Sequence, residues 1–258
     1  MSLLSVKNLK KQFGGNVAVD GISFDLAAGE LLALIGPNGA GKSTTFNMIG
    51  GQLRASSGSV LLNGSELLGT SSREIARLGV GRTFQIAATF SSLTVLENIQ
   101  VALLAQQRKI YSFWRPAAGM ARDRALALLD QVGMLAQALR PCSELAYGDV
   151  KRVELAIALA AEPQLLLMDE PTAGMAASER HALIELVRQL VHQHNLAVLF
   201  TEHSMDVVFA YADRIIVLAR GQLIAQGSAD QVRNNAKAQE VYFGTGKTFE
   251  PGAECATS

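Results

Sequence analysis

Residues 36–43, Gly-Pro-Asn-Gly-Ala-Gly-Lys-Ser, constrain this chain more than any other stretch. They fit the spacing G-x-x-x-x-G-K-[ST]. They also stand in the context that gives the spacing physical meaning, after the nearly all-apolar run Glu30-Leu-Leu-Ala-Leu-Ile35 and before helix-like sequence from Lys42. A short apolar run ending in glycine suits a parallel strand buried on both faces. The glycines let successive backbone N–H groups converge on phosphate oxygens without Cβ clashes, and the helix N-terminus that follows adds favourable partial charge. In this pattern Lys42 reaches the β- and γ-phosphates of a nucleotide and the Ser43 hydroxyl binds Mg²⁺.

A second apolar run, Leu165-Leu-Leu-Met168, ends in Asp169-Glu170. An acidic pair after a strand is weak evidence alone and fits a solvated loop equally well. Beside a phosphate-binding loop it gains a role: Asp169 orients the Mg²⁺ shell, and Glu170, one residue on, polarises the attacking water. The chain around these motifs alternates between periods. Strands are expected at Leu3–Leu9, Ile22–Leu26, 58–63, Val80–Phe84, Leu165–Asp169, Leu196–Thr201, Arg214–Leu218 and Gln222–Ala225. Asn63-Gly64 reads as a hairpin turn that tolerates positive φ. Helical pattern dominates from about 70 to 162, with capping boxes at Ser71-x-x-Glu74 and Thr94-x-x-Glu97, and recurs near 121–132, 178–193 and 204–211. Strands alternating with helices imply an α/β fold with a parallel sheet and crossover connections.

The bulk numbers bound the rest. The chain has 258 residues, 49% hydrophobic and 18% charged, which is a globular composition. Lys+Arg and Asp+Glu are both 23, so no basic excess points to nucleic acid as a partner. The start has no apolar stretch of signal-peptide length, and no apolar run is long enough to span a bilayer, so any membrane role is expected through a partner. Two cysteines, Cys142 and Cys255, lie outside any metal-ligand pattern and read as inert thiols of a cytosolic chain.

With these motifs in order, the chain resembles the ABC transporter ATPases through about residue 244. Four further features follow the family's sequence. Gln85, in Gly-Arg-Thr-Phe-Gln, matches the lid glutamine that senses Mg²⁺ and faces the membrane partner. Leu145-Ala-Tyr-Gly-Asp149 sits at the place of the signature Leu-Ser-Gly-Gly-Gln. Pro171–Ala176 matches the loop that contacts a second ATPase subunit. His203 matches the switch histidine at the γ-phosphate, and the interval from Glu170 to His203 is typical. Phe13 matches the aromatic that stacks on adenine, a contact type that contributes about 1–3 kcal/mol.

Within the family, the chain is most similar to one ATPase subunit of the branched-chain amino acid importers. The stretches carrying this are Phe13-Gly-Gly-Asn-Val-Ala-Val, Gly81-Arg-Thr-Phe-Gln-Ile, Phe90-Ser-Ser-Leu-Thr-Val-Leu-Glu-Asn98, Thr201-Glu-His-Ser-Met-Asp206 and Val241-Tyr-Phe-Gly244. Importers of urea, short amides or aromatic acids, and lipopolysaccharide-export ATPases, share much of this pattern. A lipopolysaccharide-type exporter therefore stands as one alternative, and Ala146 and Ala176 keep a non-hydrolysing nucleotide-binding regulatory module as another.

The resemblance implies a RecA-like P-loop core, an antiparallel β lobe and a helical signature lobe over about 86–162, all within one ATPase domain at 1–244, with a loose tail at 245–258. It implies ATP held by Phe13, Gly36, Pro37, Asn38, Gly39, Ala40, Gly41, Lys42, Ser43 and Thr44, Mg²⁺ at Ser43, Gln85 and Asp169, and hydrolysis by Glu170 with His203 and Gln85. The implied partners are transmembrane permease subunits, a second ATPase subunit and, indirectly, a solute-binding protein, at the cytoplasmic face of the cell membrane.

The chain departs from the family where one subunit completes the other's site. Ala146 replaces the signature serine, Asp149 the glutamine, and Ala176 the interface loop's usual aspartate. Ala146, Tyr147, Gly148 and Asp149 would face a partner's nucleotide without a serine hydroxyl, a loss of roughly 1.5–3 kcal/mol for a charge-assisted bond. Amides and helix dipole near Gly148 remain. The expectation is pairing with a different ATPase subunit that carries a fuller signature.

Overall fold

The computed structural model describes residues 2–83, 89–106 and 117–243. The chain begins with β1 (Ser2–Phe13), β2 (Asn16–Ala27), β3 (Leu31–Ile35), α1 (Lys42–Ile49), β4 (Ser57–Leu62), β5 (Ser65–Glu66), α2 (Ser72–Arg77) and β6 (Val80–Thr83). Helices α3 (Val95–Gln106), α4 (Ala117–Gln131) and α5 (Tyr147–Leu159) follow. The alternating half then runs β7 (Leu165–Asp169), α6 (Ala177–His194), β8 (Ala197–Thr201), α7 (Met205–Tyr211), β9 (Arg214–Ala219), β10 (Gln222–Gly227), α8 (Ala229–Arg233) and α9 (Ala236–Phe243).

Among the described residues, six strands form one sheet in the order β10-β9-β3-β8-β7-β6, parallel except for the β9–β10 hairpin. A second, antiparallel sheet has the order β2-β1-β4-β5. The period-2 alternation of the parallel strands divides two cores. Leu31, Ala33, Ile35, Val198 and Phe200 point to the helices, and Leu32, Leu34, Ala197 and Leu199 point to α1 and the antiparallel sheet. Burial on both faces is why these strands are short, unbroken apolar runs. This is the α/β architecture with an antiparallel lobe and a helical lobe that the sequence predicts.

Local signals work as expected at several joints. Ser71 and Glu74 exchange side-chain and backbone bonds at the start of α2, and Thr94 and Glu97 do so before α3. Asn63 and Gly64 both adopt positive φ, 48° and 81°, at the turn between β4 and β5. The first two strands differ from expectation. Leu3–Leu9 and Ile22–Leu26 are the inner parts of a single hairpin whose arms run 12 residues each. The polar run Lys10-Lys11-Gln12 hides the outer part, and register shifts at Leu9 and Lys11 break the alternation there. Helices α8 and α9 are absent from the sequence reading. Cys142 is buried, accepts a bond from Asn98 Nδ2 at 3.2 Å, and burial pushes its thiol pKa up, in keeping with an inert thiol. Cys255, Phe84 and the 245–258 segment lie outside the described residues.

Phe200 is fully buried on β8, whereas Leu139 is 70% exposed. Phe200→Ala is therefore expected to lower unfolding free energy by about 3–5 kcal/mol, and Leu139→Ala by no more than about 0.5 kcal/mol. Urea unfolding of the two variants checks both values.

Candidate nucleotide site

Three neighbouring strands, β3, β8 and β7, deliver their carboxyl ends to one edge of the sheet. That edge is where open α/β sheets place ligands. Gly36–Gly41 leaves β3 and turns into α1. Gly39 has φ 78° and Gly41 φ 104°. A Cβ on Gly41 would come within 2.7 Å of the Ala18 carbonyl oxygen, so only glycine fits there. The Ala40 N–H donates to Pro37 O at 3.1 Å, and Ala40 O accepts from the Gly221 N–H at 3.1 Å, which ties the loop to the β9–β10 turn. Pro37, Asn38 and Gly39 are exposed at the tip.

Gly41 caps α1 without a side-chain bond, and the first intrahelical bond runs from the Thr45 N–H to Gly41 O at 2.9 Å. The N–H groups of Lys42, Ser43 and Thr44 thus belong to the unpaired first turn of a helix. The Lys42 side chain is buried and donates to Gly36 O at 2.6 Å and Pro37 O at 3.2 Å. Burial pushes its ammonium pKa below the ordinary lysine value, and the nearby Glu170 and Asp169 carboxylates oppose that shift. A lysine so held is a charge already desolvated and aimed into the loop. Ser43 is exposed and Thr44 half-buried beside it.

Asp169 ends β7 directly opposite Thr201, the last residue of β8. The Thr201 hydroxyl donates to Asp169 Oδ1 at 2.7 Å and accepts from the Glu170 N–H at 3.0 Å. Arg82 Nη2 on β6 stands 3.7 Å from Asp169 Oδ2 and is held by Asn47 and Gln52. Glu170 sits at φ 49°, a left-handed conformation that costs a non-glycine residue energy and recurs at functional sites. Its carboxylate Oε1 lies 2.8 Å from His203 Nε2, on the loop after β8. His203 is half exposed, so this pair faces the open side of the site. Sequence order places Glu170 and His203 far apart; the β7–β8 pairing brings them into contact.

Phe13, at the end of β1, is 49% exposed with Lys11 Nζ over its ring at 4.8 Å from the centre, a surface aromatic rather than a core residue. Gln85 lies outside the described residues. Ala146 is the N-cap of α5 and makes no side-chain cap bond, Tyr147 is 48% exposed, Gly148 is buried, and Asp149 sits in the first turn. An acid there is favourable to the helix N-terminus. A Cβ on Gly148 would meet Glu179 and Met175 at 3.3 and 3.4 Å, and one on Gly174 would meet the Tyr147 ring at 3.6 Å. Tyr147 and Gly148 therefore lie beside Gly174 and Met175 of the Pro171–Ala176 loop of the same chain. Arg82, Thr201 and Glu202 are contacts that the sequence reading missed.

A glycine cradle, a buried lysine, an acid pair and a facing histidine at one sheet edge define a nucleoside-triphosphate-hydrolysing cassette. Residues 19–173, more than half of the chain, match the family described as ABC transporter. The chain belongs to that family and is the ATP-binding, ATP-hydrolysing cassette of a transporter. Residues 222–248 match a narrower family, the branched-chain amino acid ATP-binding cassette transporters. The high-affinity branched-chain amino acid transport ATP-binding protein LivG of Escherichia coli (strain K12) is 41% identical over 94% of this chain and 98% of its own length. The ADP-conformation crystal structure of MJ1267, an ATP-binding cassette of an ABC transporter, superposes with TM-score 0.85 at 32% identity, covering 95% of this chain and 99% of that one. A dimeric, post-hydrolysis structure of the cassette MJ0796 bound to ADP and Pi gives TM-score 0.73 at 25% identity, over 88% and 98%.

Thr201→Val removes a buried hydroxyl that serves both acids. It is expected to lower stability by about 1–3 kcal/mol, the cost of leaving polar partners unsatisfied. Denaturant midpoints of the variant and the parent measure this, and equal midpoints contradict it.

Proposed function

We propose that this cassette powers the import of branched-chain or closely related amino acids, bound to permease subunits at the cytoplasmic face of the cell membrane. The observation that carries this is the match of residues 222–248 to the branched-chain family, a stretch outside the general nucleotide motifs. Among the described residues no helix is long and apolar enough to cross a membrane, so the membrane path belongs to partners in this reading.

The geometry supports the following roles. The exposed ring of Phe13 stacks on adenine. Amides of Gly36–Thr44 and the Lys42 ammonium hold the phosphates. Glu170 accepts a proton from the attacking water, and His203, hydrogen-bonded to it, holds that carboxylate and faces the γ-phosphate. The Ser43 hydroxyl and the Asp169 carboxylate are hard oxygen donors on adjacent elements, a set that fits Mg²⁺, with Gln85 as a further ligand. When bound, Mg²⁺ neutralises charge on the phosphate oxygens. A second ATPase subunit closes the site head to tail. Because Ala146 offers no hydroxyl, we take that subunit to be a different chain with a fuller signature, and the site served by Ala146–Asp149 to be the slower one.

Proteoliposomes containing the complex captured through a tag on this chain test the reading. ATP-driven uptake of leucine, isoleucine or valine is expected, and Glu170→Gln is expected to cut hydrolysis by about 10²–10⁴-fold, the usual worth of general-base catalysis. Intact hydrolysis with uptake of none of the three overturns the substrate assignment.

A further inference from the structure

Glu202 is 3% exposed, yet it bridges two loops. Its Oε1 accepts from the backbone N–H of Thr172, at 3.0 Å, and from the Thr172 hydroxyl. Its Oε2 accepts from the N–H of His203, at 3.1 Å, and of Ser204, at 3.4 Å. One oxygen thus belongs to the Pro171–Ala176 loop and the other to the loop that carries His203. The donors are amides and a hydroxyl, so the carboxylate binds by geometry as well as charge. A second tie runs the same way: Arg180 Nη1, in the first turn of α6 behind the interface loop, donates to the Ser204 hydroxyl at 2.6 Å. A Cβ on Gly174 of the same loop would come within 3.6 Å of the Tyr147 ring.

The geometry points to Glu202 as a positioning residue that makes the Pro171–Ala176 loop and the His203 loop one body, so that docking of the second ATPase subunit on the first sets the His203–Glu170 contact. This rests on the reading of that loop as the subunit interface. Glu202 touches no reacting atom. It acts through His203, whose Nε2 meets Glu170 Oε1. A buried carboxylate with each oxygen committed to a different loop cannot follow one without pulling the other, because an unpaired buried acceptor is costly.

Two near-isosteric variants separate the halves. Glu202→Gln keeps an oxygen for Thr172 but turns an NH₂ toward the His203 and Ser204 N–H donors. Thr172→Val removes only the hydroxyl on the other side. In the complex captured through a tag on this chain, each variant is expected to lower kcat by about 10-fold, the worth of one charge-assisted bond. ATP affinity should change by less than about 2-fold, because the loss falls on the reacting state. The double variant should lose about 10-fold, not about 100-fold, since both act through one carboxylate. A merely structural role lowers affinity and kcat together. In the isolated full chain, Glu202→Gln should also speed amide exchange in 171–176 along with that at 203–204.

Glu170→Gln is the control. If it silences hydrolysis while the two variants add independently, or leave kcat unchanged, the coupling is wrong and the site reading stands. If Glu170→Gln leaves hydrolysis intact, the site reading falls and the coupling falls with it.

Discussion

The pairing of β7 with β8 is the interaction on which the site depends. Their parallel register sets Asp169 opposite Thr201, which lets one hydroxyl serve the Asp169 carboxylate and the Glu170 amide together. A slip of one residue would send every side chain of β7 to the wrong core, because Leu166 and Met168 belong to the helical face and Leu165 and Leu167 to the other. Both cores are apolar, so the feature of β7 that depends on this register is the placement of Asp169 opposite Thr201. The strained backbone of Glu170 is sustained by the same contacts.

What could be read from sequence was mostly local. The phosphate loop is contiguous, and its glycines are needed by the backbone itself, as Gly41 shows. The boxes at Ser71 and Thr94 and the turn at Asn63-Gly64 act within four residues. The buried strands are legible because both faces are apolar. Edge structure was less so: the hairpin of β1 and β2 extends through polar residues that carry no alternation. Helices α8 and α9 went unseen although Ser228 and Gln231 form a box at the start of α8. They are short, and periodicity needs length.

The contacts that organise the candidate site were hidden for a different reason. Arg82, Thr201, Glu202 and Thr172 act between strands or loops distant in sequence, and their partners appear only once β6, β7 and β8 lie side by side. His203 is legible in sequence from its place in a motif order, but its contact with Glu170 is a product of strand pairing. Asp149 sits in the first turn of α5, where its charge suits the helix, while Ala146 and Tyr147 are open to solvent. In the proposed pairing this segment would offer amides and a helix dipole to a neighbour, without a serine hydroxyl.

The proposed reading is a cassette that binds ATP on its own residues and pairs with a different subunit that closes over it. Light scattering with size exclusion on the Glu170→Gln chain, with and without ATP and Mg²⁺, tests this directly. A chain that binds ATP and stays monomeric supports the need for a different partner. An ATP-dependent homodimer means that Ala146 and Asp149 suffice to close the site, and the mixed pair is then wrong.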